Sequence, residues 1–323
     1  MITRLFNWLE NYVDSFPMQQ AEKPDAKLFA FAFHYTKPFL PLLAASIIFS
    51  TVIALIEVYL FAFIGNLVDL LTTADRATFW EENATKLTLM GVLVLLVLPS
   101  LNFISEAISH QGLRGAFAMR IRWLAHRYVL RQSMDFFTND FAGRVATKVM
   151  QTALGVRDAV MKLTEVIVYV GVYFIGALVL VATSDAWLMA PLLIWLLGYA
   201  AACWYFVPKL GKLSAEQADL RSMVTGRVVD SYTNIPTVKL FAHADREDGY
   251  AKEGMGWMLD AVHRSMRLST LMTTALQLLS GFLIFTMAAM SVWLWHAGAI
   301  TTGAIAFALG LTLPRKACLL YTS

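Results

Sequence analysis

Apolar positions along the chain gather into five long runs: Phe39–Ile64, Leu87–Ser105, Leu163–Thr183, Ala186–Val207 and Leu271–Trp295. Each meets the roughly 20 helical residues that cross a hydrocarbon core of about 30 Å. A sixth run begins near Ile300 and stops at Leu313. The runs are continuously apolar rather than alternating, so helices, not barrel strands, are expected to satisfy the backbone inside lipid. Two long segments, 106–162 and 208–270, separate the second run from the third and the fourth from the fifth. They are polar yet patterned. Leu113, Phe117, Ile121, Leu124 and Tyr128 keep three-and-four spacing, as do Val145, Val149, Ala153, Val156 and Val160. Each segment therefore reads as a descending helix, a short hook and a returning helix. Twenty extra residues would carry each helix about 30 Å beyond the bilayer. The hooks are Met134–Arg144, MDFFTNDFAGR, and Tyr232–Ala242, YTNIPTVKLFA. Before the first run, residues 1–38 alternate apolar and polar positions around Pro17 and Pro24, the pattern of a segment lying in the membrane interface.

Composition agrees with this layout. The chain has 323 residues, 58% hydrophobic and only 15% charged, with a mean hydropathy of +0.59. Soluble domains carry about a quarter charged residues, so a polytopic membrane protein is expected, with the lipid bilayer as its first partner. A net charge of +3 makes no case for a nucleic-acid partner. The placement of charge is more telling. Segments 106–162 and 208–270 hold nine Lys and Arg each, segment 65–86 has only Arg76 and Lys86, and the links Ser184–Asp185 and His296–Ala299 have none. The positive-inside rule places the leader and both hooks in the cytoplasm. Trp187, Trp293 and Trp295 then mark the outer interface, and Trp204 and Tyr205 the inner one. The expected location is a bacterial inner (plasma) membrane, with the N-terminus cytoplasmic. Cys203 and Cys318 suggest neither a disulfide frame nor a metal site. No cluster has metal-ligand spacing, no Ser/His/Asp set is arguable, and no catalytic residue is predicted.

At the hooks the sequence resembles the membrane domain of a half-size ATP-binding cassette (ABC) exporter of the multidrug and lipid type, over about residues 25–313. DFFTNDFAGRVATKVM resembles that family's first coupling loop, through Phe136, Phe137, Gly143, Thr147 and Lys148. YTNIPTVKLFAHADRE resembles the second, through Val238, Lys239 and Phe241. The pattern departs at Gln151–Thr152, where an acid is common, at Asn234 for a Gly, and at Ala244 for a Glu. The resemblance implies an all-α, six-transmembrane-helix (type 1 exporter) fold with an interfacial elbow helix, long cytoplasmic helix extensions and two coupling helices. It implies docking to a nucleotide-binding domain through Asp135, Phe136, Phe137, Thr138 and Asn139 in the first hook, and through Tyr232, Asn234, Ile235, Thr237, Lys239 and Phe241 in the second. It also implies a second exporter half, identical or different. The chain has no G-x-x-x-x-G-K-[ST] loop; its only Gly-Lys is Gly211–Lys212. ATP and Mg are thus implied for the nucleotide-binding domain, with no cofactor in this chain, and whether the chain counts as an enzyme stays open. The expected division is a leader and elbow at 1–38, a transmembrane domain at 39–313 with a truncated sixth helix, and a non-native tail at 314–323.

Within the spans, Glu57, Tyr59, Asn102, Tyr169, Tyr173 and Gln277 are candidates for lining a cavity that takes a hydrophobic small molecule or lipid, and Ser280 could join a polar path. Acids inside a membrane are functional candidates. Glu57, however, lies about 27 Å of helix beyond Phe39, a position expected near the outer boundary. The competing readings are ordinary core packing for the aromatics and helix–helix hydrogen bonds for the amides. The expected function is ATP-driven export by alternating access. Two rivals stand beside it: an ion-coupled secondary transporter, which favours broken helices near mid-membrane, and a non-transporting receptor or scaffold.

Overall fold

The computed structural model describes residues 2–18, 28–75, 77–138, 142–240 and 244–312, and its regular structure among these is entirely helical. In chain order the elements are α1 (Ile2–Glu10), α2 (Leu28–Thr36), α3 (Leu40–Thr73), α4 (Phe79–Val129), α5 (Met134–Thr138), α6 (Gly143–Ala182), α7 (Ala186–Thr233), α8 (Ile235–Leu240), α9 (Asp245–His296) and α10 (Thr302–Thr312). Helices α3, α4, α6, α7 and α9 are each long and apolar enough to cross a membrane. Helix α10, the described part of the sixth run, is short and apolar. The segment expected as a non-native tail, 314–323, lies outside the described residues.

Helices α4, α7 and α9 contain 51, 48 and 52 residues. At 1.5 Å per residue they are about 72–78 Å long, more than twice the hydrocarbon thickness. The polar segments flanking the hooks are thus helical continuations of the apolar spans. Helix α3 runs past the expected Ile64 to Thr73. Asn66 and Asp69 end its continuous apolar run, but Leu67, Leu70 and Leu71 keep the helical pattern going. At the end opposite the hooks, two tight turns close hairpins. Asp185 accepts from the Trp187 amide at 2.8 Å between α6 and α7. After α9, Gly298 adopts a left-handed φ of 74°, with its amide on the Trp295 carbonyl and the Ala299 amide on that of Leu294, both at 2.9 Å. This is a Schellman ending, which favours glycine at that position.

Two apolar cores hold the bundle. Toward the hooks, Leu9 of the leader, Phe39, Leu42, Leu113, Phe117 and Val160 join α1, α3, α4 and α6, with the Phe39 and Phe117 rings 4.9 Å apart. The leader is strapped along α4. Trp123 Nε1 and an Arg127 guanidinium nitrogen donate to the Pro17 carbonyl at 3.0 and 2.8 Å, and Arg120 donates to that of Asp14. At the far end, Val181, Leu188, Leu192, Met287, Phe307 and Ala308 form the second core. There α3 and α10 meet at Gly65 and Gly303. Asp69 accepts from Thr301 Oγ1 and from the Gly303 amide, both at 2.7 Å, while Thr301 Oγ1 accepts from the Ala304 amide at 3.2 Å. A carboxylate of α3 and the hydroxyl of Thr301 together cap the N-terminus of α10.

Beyond the apolar region, α7 and α9 are clamped along their length. Gln217 donates to the Ala261 carbonyl at 3.2 Å, and Arg264 pairs with Glu216. Nearer the hook, Arg227 donates to the Tyr250 carbonyl at 2.8 Å and stacks over the Tyr250 and Trp257 rings at 3.9 and 5.0 Å, while Ser231 donates to Glu247 at 2.7 Å. Only 12% of the Arg227 side chain is exposed, so its contacts are less screened than those of a surface ion pair.

A Cβ on Gly303 would stand 2.1 Å from the Gly65 carbonyl oxygen and 2.6 Å from the Asp69 carboxylate, whereas one on Gly91 would meet nothing within 4 Å. Gly303→Ala is therefore expected to destabilise the bundle by about 1–3 kcal/mol through overpacking. Gly91→Ala should be neutral or slightly stabilising. Thermal unfolding of the two variants in the same detergent checks the difference.

Candidate functional site

The hooks are short helices set between the long ones. In α5, Phe136 and Phe137 are 37% and 38% exposed, with rings 5.3 Å apart and nearly perpendicular. Asp135 is also exposed. In the second hook α7 ends at Asn234, whose side-chain amide folds back onto the Asp230 carbonyl at 3.0 Å. Its own carbonyl accepts the amides of Thr237 and Val238, which starts α8. Tyr232 and Leu240 are 71% and 81% exposed, and Asn234, Ile235, Thr237 and Lys239 are exposed with them. Gly143, just after the first hook, lies against Val229, with Cβ contacts of 3.4 Å. Both hooks therefore sit at the same end of the molecule. Asn139, Phe241 and the Thr138 side chain lie outside the described residues.

Beside the second core lies a cavity of about 450 Å³ walled by α3, α4, α6, α7, α9 and α10. Its surface is chiefly apolar. Glu57, Tyr169 and Tyr173 line it, as does Ser280. Tyr169 donates its hydroxyl hydrogen to the Glu57 carboxylate. The Tyr169 and Tyr173 rings stack at 6.1 Å, and Phe174 and Trp195 stack at 6.1 Å on the α7 side. Three of the expected cavity residues lie elsewhere. Tyr59 lines a separate cavity of about 760 Å³ between α3 and α4. Asn102 donates to the Leu98 carbonyl of its own helix at 2.9 Å and lines neither cavity. Gln277 is exposed on α9 and lines neither.

Helix α3 also extends further beyond Glu57 than the apolar run implied. Because α3 is 34 residues long, Glu57 sits at its midpoint, about 24 Å of helix short of Thr73. The helical spacing of Leu67, Leu70 and Leu71 was the available signal. Phe61, Trp195 and Thr312 line the cavity as well, and nothing in their local sequence sets them apart from other residues of the spans. Among the described residues no group of three His, Cys, Asp or Glu is placed to hold a metal. The arrangement can enclose an apolar body and offer it one carboxylate.

Residues 43–313 match the family model of the ABC transporter transmembrane region. The chain belongs to that family. It is 39% identical over 316 residues to an uncharacterized ABC transporter ATP-binding protein of Haemophilus influenzae, a match covering 97% of this chain and 51% of that protein. The chain thus spans about half the length of the curated relative it matches. In fold it is similar to a bacterial Atm1-family ABC exporter solved with ATP bound, with a TM-score of 0.74 and 17% identity, over 84% of this chain and 48% of that one. The all-α exporter-type membrane fold, integral in the membrane, is therefore the one expected from the hooks.

Within this ABC transporter transmembrane region, the Tyr169–Glu57 bond joins α6 to α3 across the cavity, whereas the Tyr173 hydroxyl reaches the Leu311 carbonyl only at 3.5 Å. Losing a partner of a part-buried charged acceptor costs about 1–3 kcal/mol. Tyr169→Phe is expected to lower unfolding stability by about that amount, and Tyr173→Phe by less. Parallel thermal melts in nanodiscs test the order.

Proposed function

We propose that this chain is the membrane half of an ATP-driven exporter that moves hydrophobic or amphipathic molecules out of the cytoplasm by alternating access. One observation carries the reading. A chiefly apolar cavity lined by the five membrane-length helices and α10 is connected, through helices that run on from its walls, to two exposed hooks at one end. The excess of Lys and Arg on both sides of the hooks supports a cytoplasmic position for that end. Exposed aromatic and aliphatic side chains at a helix tip suit an interface anchor, and the proposed partner is a nucleotide-binding domain. ATP and Mg belong to that domain, and a second exporter half, identical or different, completes the pathway.

In the proposed cycle ATP draws two such domains together, and the hooks gripped by them carry the long helices as levers. The clamps between α7 and α9 suit this role, since a lever must not bend where force enters. This chain contributes a difference in binding between the two states, because only differential affinity shifts such an equilibrium. An ion-coupled transporter would instead favour helices interrupted near mid-membrane, whereas α3, α7 and α9 are single α-helices and α4 and α6 continue through π-helical segments at 93–97, 108–114 and 162–167 without ending.

The hooks supply the test. In the protein carrying its ATPase domain, replacing Phe136 and Phe137 together by Ala is expected to cut transport into inverted vesicles at least about tenfold, as loss of an aromatic anchor costing 1–2 kcal/mol or more implies. Tyr232→Ala should act in the same direction. Tyr232→Ala, at a side chain 71% exposed, should leave the melting temperature of the membrane domain unchanged. Full transport by the double variant would reject the hooks as coupling elements.

A further inference from the structure

The cavity beside the second core offers its contents an uneven set of groups. Among its described lining residues Glu57 alone is ionisable as a carboxylate, and none is Lys or Arg. The hydrogen bond that Glu57 receives comes from a neutral phenol, Tyr169. A carboxylate in apolar surroundings without a cation keeps much of its desolvation cost, and a positively charged ligand removes it. The aromatic faces beside it add to the same preference. Tyr169 and Tyr173 line the cavity as a stacked pair, and such rings attract ammonium and related cations. The volume of about 450 Å³ lies in the range of drug-sized ligands.

Resting on the reading of this cavity as the cargo site, we propose that it selects by charge. Glu57 anchors the single cationic group of an apolar or aromatic molecule, and the cavity rejects anionic amphiphiles of the same shape. Glu57 is the specificity-determining residue, and Tyr169 is a positioning residue that holds its carboxylate toward the cavity. A phosphate-bearing lipid is the wrong cargo on this account, since its charge repels Glu57.

The test uses the chain in nanodiscs with two probes of nearly equal shape and opposite charge, tetraphenylphosphonium and tetraphenylborate, with partition into empty discs subtracted. The wild-type chain is expected to bind the phosphonium at least about tenfold more tightly than the borate. Glu57→Gln, which keeps an acceptor for Tyr169, should lose about tenfold in phosphonium affinity and nothing in borate affinity, while Glu57→Asp keeps the preference. Equal binding of both ions by the wild type, or a Gln variant within twofold for the phosphonium, overturns the proposal. A second measurement needs no variant. Dicyclohexylcarbodiimide should label Glu57, read by peptide mass mapping, and the phosphonium but not the borate should slow that labelling about tenfold. Labelling slowed by neither ion, or equally by both, also overturns it. Failure here leaves hook-dependent transport untouched. Silent hooks beside a charge-selective cavity would instead remove the exporter reading alone.

Discussion

Inside hydrocarbon every backbone amide must find its partner within the protein, and each one that fails costs several kcal/mol. Here that constraint is met by helices that do not stop at the membrane boundary. Once the i to i−4 ladder is running, each further residue adds a bond for little additional ordering cost. Residues of good helical propensity can therefore carry it far into water. The segments Lys209–Asp230 and Glu247–Arg267 do so even across Gly211, Gly226, Gly249, Gly254 and Gly256. Stiff projections follow from the same backbone chemistry that spans the bilayer.

Length alone does not make a rod useful. The projections of α7 and α9 are tied to each other by Gln217, Glu216 with Arg264, and above all the sheltered Arg227, which bonds to a carbonyl and covers two aromatic rings. At the far end, the Gly65–Gly303 contact and the Asp69 carboxylate hold α3 against the start of α10. The cavity lies beside the second of these regions, lined by large aromatic side chains such as Phe61, Tyr173 and Trp195. Helix links the hooks to the level of the cavity, through π-helical segments at 93–97, 108–114 and 162–167 and past Pro208 in α7.

Much of this fold could be read in advance. The five apolar runs, the helical arms and the tight links at 183–185 and 297–301 follow from periodicity and charge, because those features act locally. The hooks stood out because Phe136, Phe137 and Tyr232 are aromatic in otherwise polar stretches. The cavity was harder. Glu57, Tyr169 and Tyr173 do share it, but Tyr59, two residues and about 200° of helix from Glu57, lines the cavity between α3 and α4, and Asn102 and Gln277 line neither. Which side of an apolar helix looks inward is set by its neighbours, and a helix that is apolar all round carries no stripe to reveal it. Trp195 and the Asp69 cap were missed for the same reason: their partners are distant in sequence.

Amide hydrogen exchange of the chain in nanodiscs, read by mass spectrometry, tests whether the arms are rods. Slow exchange running without interruption from the apolar part of α7 through 208–230, and back through 247–270 into α9, with fast exchange confined to the turns at the hooks, is the predicted pattern. Exchange across 208–230 or 247–270 at the rate of an unstructured peptide would contradict it, because a soft arm cannot carry a displacement from the hooks to the cavity.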